Sequence, residues 1–489
     1  MAVSIAEPFK KRYNKEKELS FLNKRKKRQF SLLCGERGQA LPAGKERSVL
    51  KIIETILTTE GHRLEKQGNP RVTPDITTEN QVLNVYRDVK KQTWLGFGSA
   101  LTDAAAWCYA HVPPESQKEI LRLYFSKDEG LGYDWGRMHI GSCDFSTCEY
   151  AYTKPEDRTL ESFDLGQDKA YILPMVQDIL KVNPELFLFA SPWSPPSWMK
   201  TTGNTRFGGK LRDDWKDVWA RYVARYLQSY EAEGVAIEAV TVQNEPAAAQ
   251  TWESCQYTAE DEAELIRDHL APVFEQEGLK TKIIIWDHNK ERVYERARDT
   301  LRDPAVREKV WGIGFHWYSG GHYDGLALAH EAFPEKELIA TEFCYGMTRK
   351  NDGALGYARD ILHNMNSGMT ASVDWNLLLD ETGGPYHYRP TGCAAPVMVN
   401  TQTGEVTCMP MYDGVAHFAR YIPKGSRRLA TSTYDNNVAL TAFERPDGKV
   451  AVVILNDKEE KTNVFLRMDN HTAPVQLPGR SLMTVLIEE

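Results

Sequence analysis

The sequence predicts an α/β protein, a (β/α)8 TIM barrel with an attached β-sandwich built from both chain ends. Two patterns carry this reading. From residue 94 onward, short apolar runs alternate with longer segments of helical spacing, as in a barrel where each buried strand is followed by a helix. After residue 426 the apolar positions recur with period two, the mark of half-buried strands. At 489 residues the chain has room for a large unit and a smaller companion.

The eight strand candidates are WLGFGSALT (94–102), DWGRMHIGS (134–142), LFLFASPW (186–193), AIEAVTVQNE (236–245), KIIIWDHN (282–289), VWGIGFHWY (310–318), ELIATEF (337–343) and ASVDWNL (371–377). Between them, DDWKDVWARYVARYLQSYEAEG (213–234) places Trp215, Val218, Trp219, Tyr222 and Val223 on one helical face. TAEDEAELIRDHLAPVFEQEG (258–278) opens on Thr258 as N-cap, carries acids in its first turn and closes on Gly278. A doubly wound open sheet is the rival for such alternation.

The period-two strands are NVALTAFE, KVAVVILND, NVFLRMD and SLMTVLI, with RPDG (445–448) as a hairpin turn. Residues 49–66 and the alternating stretch 82–89 add strands from the other side of the barrel. The expected organisation is a basic extension over 1–47, sandwich strands over 48–92, the barrel over 93–425 and the remaining sandwich over 426–489.

Net charge is −8, which argues against nucleic acid or an anionic membrane as partner for the whole chain. The first 49 residues differ, with 13 Lys or Arg against 5 Asp or Glu. They read as a solvated extension or a surface-binding patch, and hold no apolar run long enough for a secretory or membrane-spanning segment. Eight cysteines without a CxxC pair fit reduced thiols in a cytoplasmic protein. Oligomeric state leaves no trace in the sequence.

In a barrel of this kind reactive side chains sit at the C-terminal strand ends. Strand four ends QNEP and strand seven ends ATEF, so Glu245 and Glu342 should face each other across the mouth. Two such carboxylates suit retaining glycoside hydrolysis, one attacking the anomeric carbon and the other protonating the leaving oxygen. That chemistry asks for about 5–5.5 Å between them and for an acid whose pKa is raised toward working pH. Taken singly, Glu245 also reads as a turn residue.

Glu342, ending an apolar strand, needs a partner, and Arg137 inside strand two is the candidate; a purely structural ion pair is the other reading. Asn244 is placed to hydrogen-bond a sugar 2-hydroxyl, and Asp144 to bind ring hydroxyls or cap a turn. Trp193 and Trp375 read as aromatic platforms or as core. His316 and Tyr318 end strand six, where Tyr318 can orient the nucleophile. The spacing of His316 and His322 matches no zinc motif, no base accompanies Cys344, and GFGSAL lacks a dinucleotide fingerprint. Neither metal nor cofactor is expected.

The stretches GFGSALTDAAA, SCDFS, ASPWSPPSWMK, VTVQNEP, GFHWY, ATEFCYG, DWNLLLDETGGP and HFARYIPKGSRR, running from Gly96 to Arg428, resemble glycoside hydrolase family 30, the retaining glucosylceramidase-like enzymes. The resemblance implies a barrel with a β-sandwich, Glu245 as acid/base and Glu342 as nucleophile. It further implies a glycone pocket of Asp144, Phe145, Trp193, Asn244, Tyr318 and Trp375, and a β-linked glucoside or related glycoside as substrate. Animal lysosomal members carry a signal peptide and clustered N-terminal cysteines, which this sequence lacks, so a bacterial-type intracellular enzyme is the expectation. Residues 386–410 depart from the lysosomal pattern and would border the leaving-group side. The expected activity is an exo-acting β-glucosidase or glucosylceramidase, with β-1,6-glucanase and β-xylosidase as rivals within the family and a non-catalytic carbohydrate-binding barrel outside it.

Overall fold

The computed structural model describes residues 50–347, 353–388, 390 and 392–489. The expected basic extension over 1–47 lies outside the described residues.

Each of the eight apolar runs holds one strand of a closed parallel barrel: Gly96–Ala100, Trp135–Ile140, Phe187–Pro192, Ala239–Thr241, Lys282–Asn289, Val310–His316, Glu337–Glu342 and Ala371–Asp374. Strand eight pairs with strand one through Ala371↔Gly96 to Asp374↔Ser99, which closes the ring and removes the open-sheet alternative. A plug including Trp135, Phe187, Phe189, Ile284, Ile339 and Val373 fills the interior, burying the apolar faces that the runs supplied. Gly98 makes room for it, because a Cβ there would meet the Trp135 carbonyl oxygen at 2.1 Å.

Strand four is shorter than its apolar run. Its regular ladder stops at Thr241, yet the N–H groups beyond stay bonded to neighbouring strands: Val242 to Ile284 O at 3.0 Å, Asn244 to Pro192 O at 2.9 Å and Glu245 to Asp287 O at 3.0 Å. The QNE segment is thus fixed by backbone hydrogen bonds although it leaves the pleat.

The helices follow the sequence signals. Lys216–Ala232 buries Val218, Trp219, Tyr222 and Val223. Thr258 caps the helix beginning at Ala259 in a capping box, its Oγ1 accepting from the Asp261 N–H at 3.1 Å while Asp261 Oδ2 accepts from the Thr258 N–H at 2.8 Å. A π-helical segment, Leu265–Leu270, interrupts that helix before its second half, Ala271–Gln276.

The sandwich is one ten-stranded hydrogen-bonded set drawn from both sides of the barrel. In spatial order its strands are His62–Lys66, Lys51–Thr59, Ser481–Glu488, Val450–Asn456, Val438–Glu444, Arg427–Ser432, Val82–Thr93, Thr462–Met468, His471–Leu477 and Thr73–Pro74. Leu83, Leu440, Val452, Leu466 and Val485 belong to its own core. Gly448, at φ 82°, closes the expected RPDG hairpin. His471–Leu477 escapes the sequence reading because Pro474 interrupts it, as does Arg427–Ser432 because its apolar pattern is short. His417, in the helix Pro410–Ala419, joins barrel to sandwich through Thr484 Oγ1 and Thr58 Oγ1, each at 2.8 Å.

Much of the 386–410 stretch is β-structure. Cys393–Ala394 pairs antiparallel with Tyr345–Gly346, and Val397–Val399 lies between Leu378–Asp380 and Val406–Cys408. The described cysteines carry no disulfide, although the Cys344 and Cys393 sulfurs lie 3.1 Å apart.

Candidate active site

A pocket of about 530 Å³ opens at the C-terminal strand ends, lined among others by Asp144, Trp193, Asn244, Glu245, Glu342 and Trp375. One carboxylate oxygen of Glu245 and one of Glu342 lie within 4.8 Å of each other. A ligand reaching into this pocket therefore meets two acids from opposite strands.

Arg137 is the hub beneath them. Its fully buried guanidinium donates to Glu342 Oε2 at 2.6 Å, Asp287 Oδ2 at 2.9 Å, Asn244 Oδ1 at 2.8 Å and Ser191 Oγ at 3.1 Å. Burying a cation costs several kcal/mol unless partners replace its water, and here two carboxylates do so. Arg137 is thus paired with Glu342 and, beyond the sequence reading, with Asp287 as well. Burial alone would raise the Asp287 carboxyl, but Arg137 and His316 hold it below the usual carboxylate range.

His316, with no exposed surface, lies between two acids: Nε2 faces Asp287 Oδ1 at 3.0 Å and Nδ1 faces Glu245 Oε1 at 3.4 Å. Burial opposes its charge, yet Glu342, Asp287 and Glu245 together push the imidazole up to about 9. Glu245 shows the reverse. Burial would raise it, but the His316 hydrogen bond and the charges of His288 and His316 bring it to about 2. His288 is itself pushed down to about 4 by burial, so at neutral pH the hold on Glu245 belongs to His316. The direction runs opposite to the expected rise toward working pH, because the His316 imidazole lies beside the Glu245 carboxylate and favours its charged form.

The Tyr318 hydroxyl donates to Glu342 Oε1 at 2.8 Å and lies 3.7 Å from Cys344 Sγ. Glu342 thus accepts on one oxygen from a cation and on the other from a phenol, which fixes its plane. Gln250 Nε2 donates to Glu245 Oε2 at 3.0 Å. Because Asn244 Oδ1 accepts from Arg137, its NH2 end is the one left for a ligand.

Trp193 and Trp375 are stacked against each other, ring centroids 5.2 Å apart and 21° between planes, with the Arg137 guanidinium over both at 4.8 and 5.6 Å. They form a packed wall instead of two exposed platforms, because each ring spends one face on its neighbour or on the cation. Phe145 sets its edge against Trp375 at 5.7 Å. Among the described residues Asp144 Oδ1 is buried without a hydrogen-bond partner, and desolvation together with the Glu342 charge pushes this carboxyl well above its ordinary range. Such a group is available to a sugar hydroxyl.

The backbone is strained here as well. Glu245, Trp286 and Asp287 have φ of 47°, 71° and 48°, values that cost non-glycine residues of order 1–3 kcal/mol each. The Glu245 N–H to Asp287 O bond ties two of these bends together.

Sequence reasoning passed over Asp287, His288, Gln250 and Trp252. Asp287 had a legible signal, since it ends the fifth apolar run as Glu342 ends the seventh. Gln250 and Trp252 follow strand four in a loop without periodicity. Glu245, His316 and Glu342 also present three ligand atoms within 4.8 Å, but Arg137 already neutralises Glu342 and His316 is shared between two acids, so these groups serve one another.

The model of the glycosyl hydrolase family 30 TIM-barrel domain matches residues 94–422, and that of the family 30 beta sandwich domain matches 425–485. The lysosomal acid glucosylceramidase of Mus musculus is 31% identical, the alignment covering 88% of this chain and 87% of that protein. Among solved structures, SrfJ from Salmonella typhimurium superposes with a TM-score of 0.85 at 30% identity, covering 90% of this chain and 99% of that one. The endo-beta1,6-glucanase BT3312 gives 0.80 at 28% identity, covering 89% and 99%.

Proposed function

The chain belongs to glycosyl hydrolase family 30 and is a glycoside hydrolase, and from that premise we propose a retaining, exo-acting β-glucosidase of glucosylceramidase type, with Glu342 as nucleophile and Glu245 as acid/base. The observation that carries the reading is the approach of the two carboxylates, with oxygens within 4.8 Å. Retention uses carboxyl groups about 5–5.5 Å apart, whereas inversion needs about 6.5–9.5 Å to hold a water between them.

In this reading Glu342, oriented by Arg137 and Tyr318, attacks the anomeric carbon while Glu245 gives a proton to the departing oxygen. Water then enters from the vacated side, Glu245 takes its proton, and the bond to Glu342 breaks. Asn244 meets the 2-hydroxyl through its NH2 group, and Asp144 meets a further ring hydroxyl. The buried Trp193–Trp375 wall suits a terminal sugar better than a chain passing through. Pro390 and Cys393 bring the 386–410 stretch to the pocket, where it would touch the leaving group.

A second reading, endo-β-1,6-glucanase, is favoured by the likeness to BT3312. Assays on p-nitrophenyl β-glucoside, β-xyloside and β-fucoside beside glucosylceramide and a β-1,6-glucan separate the two. Glucose released from glucosylceramide or the aryl glucoside, with no oligosaccharides from the glucan, supports the exo reading. Oligosaccharide products overturn it in favour of the endo reading, and no turnover of any substrate overturns both.

A further inference from the structure

The proposed acid/base poses a problem of proton storage, since Glu245 lies beside a buried histidine that competes for the same proton. His316 is enclosed on every side by groups that decide its charge. From strand four comes Glu245, at 3.4 Å from Nδ1; from strand five come Asp287, at 3.0 Å from Nε2, and the His288 ring, at 6.2 Å. Strand seven adds Glu342 Oε2 at 4.0 Å from Nε2, and the Tyr318 ring sits edge-on at 6.1 Å. Arg137 from strand two binds Asp287 and Glu342. Three carboxylates thus surround the ring while one guanidinium binds two of them, and an imidazolium in the middle removes half of the excess negative charge that a neutral ring would leave.

We propose that His316 stores the proton that Glu245 delivers, the line Asp287–His316–Glu245 acting as a buried relay; this rests on reading Glu245 as the acid/base. His316 is then a positioning residue that acts through Glu245. When a glycoside fills the pocket, the Nδ1–H bond breaks as an O–H bond forms on Glu245. Glu245 passes that proton to the leaving oxygen as the bond from that oxygen to the anomeric carbon breaks and Glu342 bonds to the carbon, releasing the aglycone as an alcohol. In the second half, the oxygen of water bonds to the anomeric carbon and the bond to Glu342 breaks. The proton lost by water goes to Glu245 and from there back to Nδ1, so the cycle takes no proton from solution. Asp287 stays ionised throughout, held by Arg137, and steadies whichever form of the ring carries Nε2–H. The directions of charge agree with storage on the ring between turnovers, His316 being pushed up to about 9 while Glu245 is brought to about 2, so delivery depends on the change that a bound glycoside makes around Glu245.

The test uses His316→Gln, whose amide can still reach Asp287 but stores no proton. Its alkaline limb of kcat/KM should fall by about one pH unit or more, because Glu245 must then hold the proton unaided. At mildly alkaline pH, turnover of an alkyl β-glucoside should fall about 10²-fold further than that of an activated aryl β-glucoside, whose leaving group needs little protonation. A limb that stays in place with equal losses for both substrates overturns the relay and leaves His316 a structural role. Independently of activity, the wild-type enzyme labelled with 15N-histidine should show, at neutral pH, one imidazolium whose signal shifts in Glu245→Gln. A neutral ring there overturns the proposal even where His316→Gln fails to fold. Equal losses of alkyl and aryl substrates in Glu245→Ala would instead overturn the acid/base reading itself.

Discussion

Arg137 and Glu342 meet at 2.6 Å inside the barrel, where the guanidinium has no exposed surface and the carboxylate almost none. Removing the cation leaves Glu342 and Asp287 buried with uncompensated charge. Arg137→Ala should therefore lower the free energy of unfolding by about 3–5 kcal/mol, read from urea denaturation. Arg137→Lys should not restore activity, since a single ammonium cannot fork between two carboxylates. Wild-type stability in the alanine variant would show that the pair contributes nothing net.

Glu342→Gln keeps an oxygen for the Tyr318 hydroxyl but loses the proposed nucleophile. Turnover should fall by about 10⁴-fold or more with the circular dichroism spectrum intact. Near-normal kcat would move the nucleophile elsewhere.

Tyr318→Phe removes one of the two donors that set the plane of Glu342. A hydrogen bond to a charged group contributes about 1.5–3 kcal/mol, so kcat/KM should drop by about 10- to 100-fold. Melting temperature should move little, because Tyr318 is 43% exposed. Unchanged kinetics would mean that Arg137 alone orients the carboxylate.

His417 should make the barrel–sandwich junction acid-sensitive. Burial pushes its imidazole down to about 3, against about 6.5 in an unfolded chain. Below pH 6.5 the unfolded chain binds the extra proton first, so stability from this site is present above pH 6.5 and is lost as pH falls toward 3. His417→Gln should flatten the fall in unfolding free energy over that window, and a curve of unchanged slope would exclude this histidine as its source.

The barrel was legible because burial writes itself as apolar runs, and an ionisable residue at the end of such a run or inside it stands out: Glu245 and Glu342 were found at run ends, Arg137 within one. Asp287 obeyed the same rule, but its importance comes from contacts to strands two and six, which no local pattern records. The pull on the Glu245 carboxyl runs opposite to the expected rise for a related reason. The sequence shows an acid destined for burial, whereas the imidazole that governs it lies 71 positions away. Pro474 hid a strand because a missing N–H usually argues against sheet, yet the residue pairs with Phe465 in the folded ladder.

The strand Ser481–Glu488 sits between Lys51–Thr59 and Val450–Asn456. As the ribosome extends the polypeptide, the segment around Ile52 and Ile56 emerges early and cannot find this neighbour until almost all of the remaining sequence has been made. The barrel, whose neighbouring strands are mostly consecutive, can close in the meantime. Pairing over so long a separation is slow, and until then Lys51–Thr59 has only the adjacent His62–Lys66 as a neighbour. The topology therefore lets the sandwich complete this pairing only after the barrel strands have emerged.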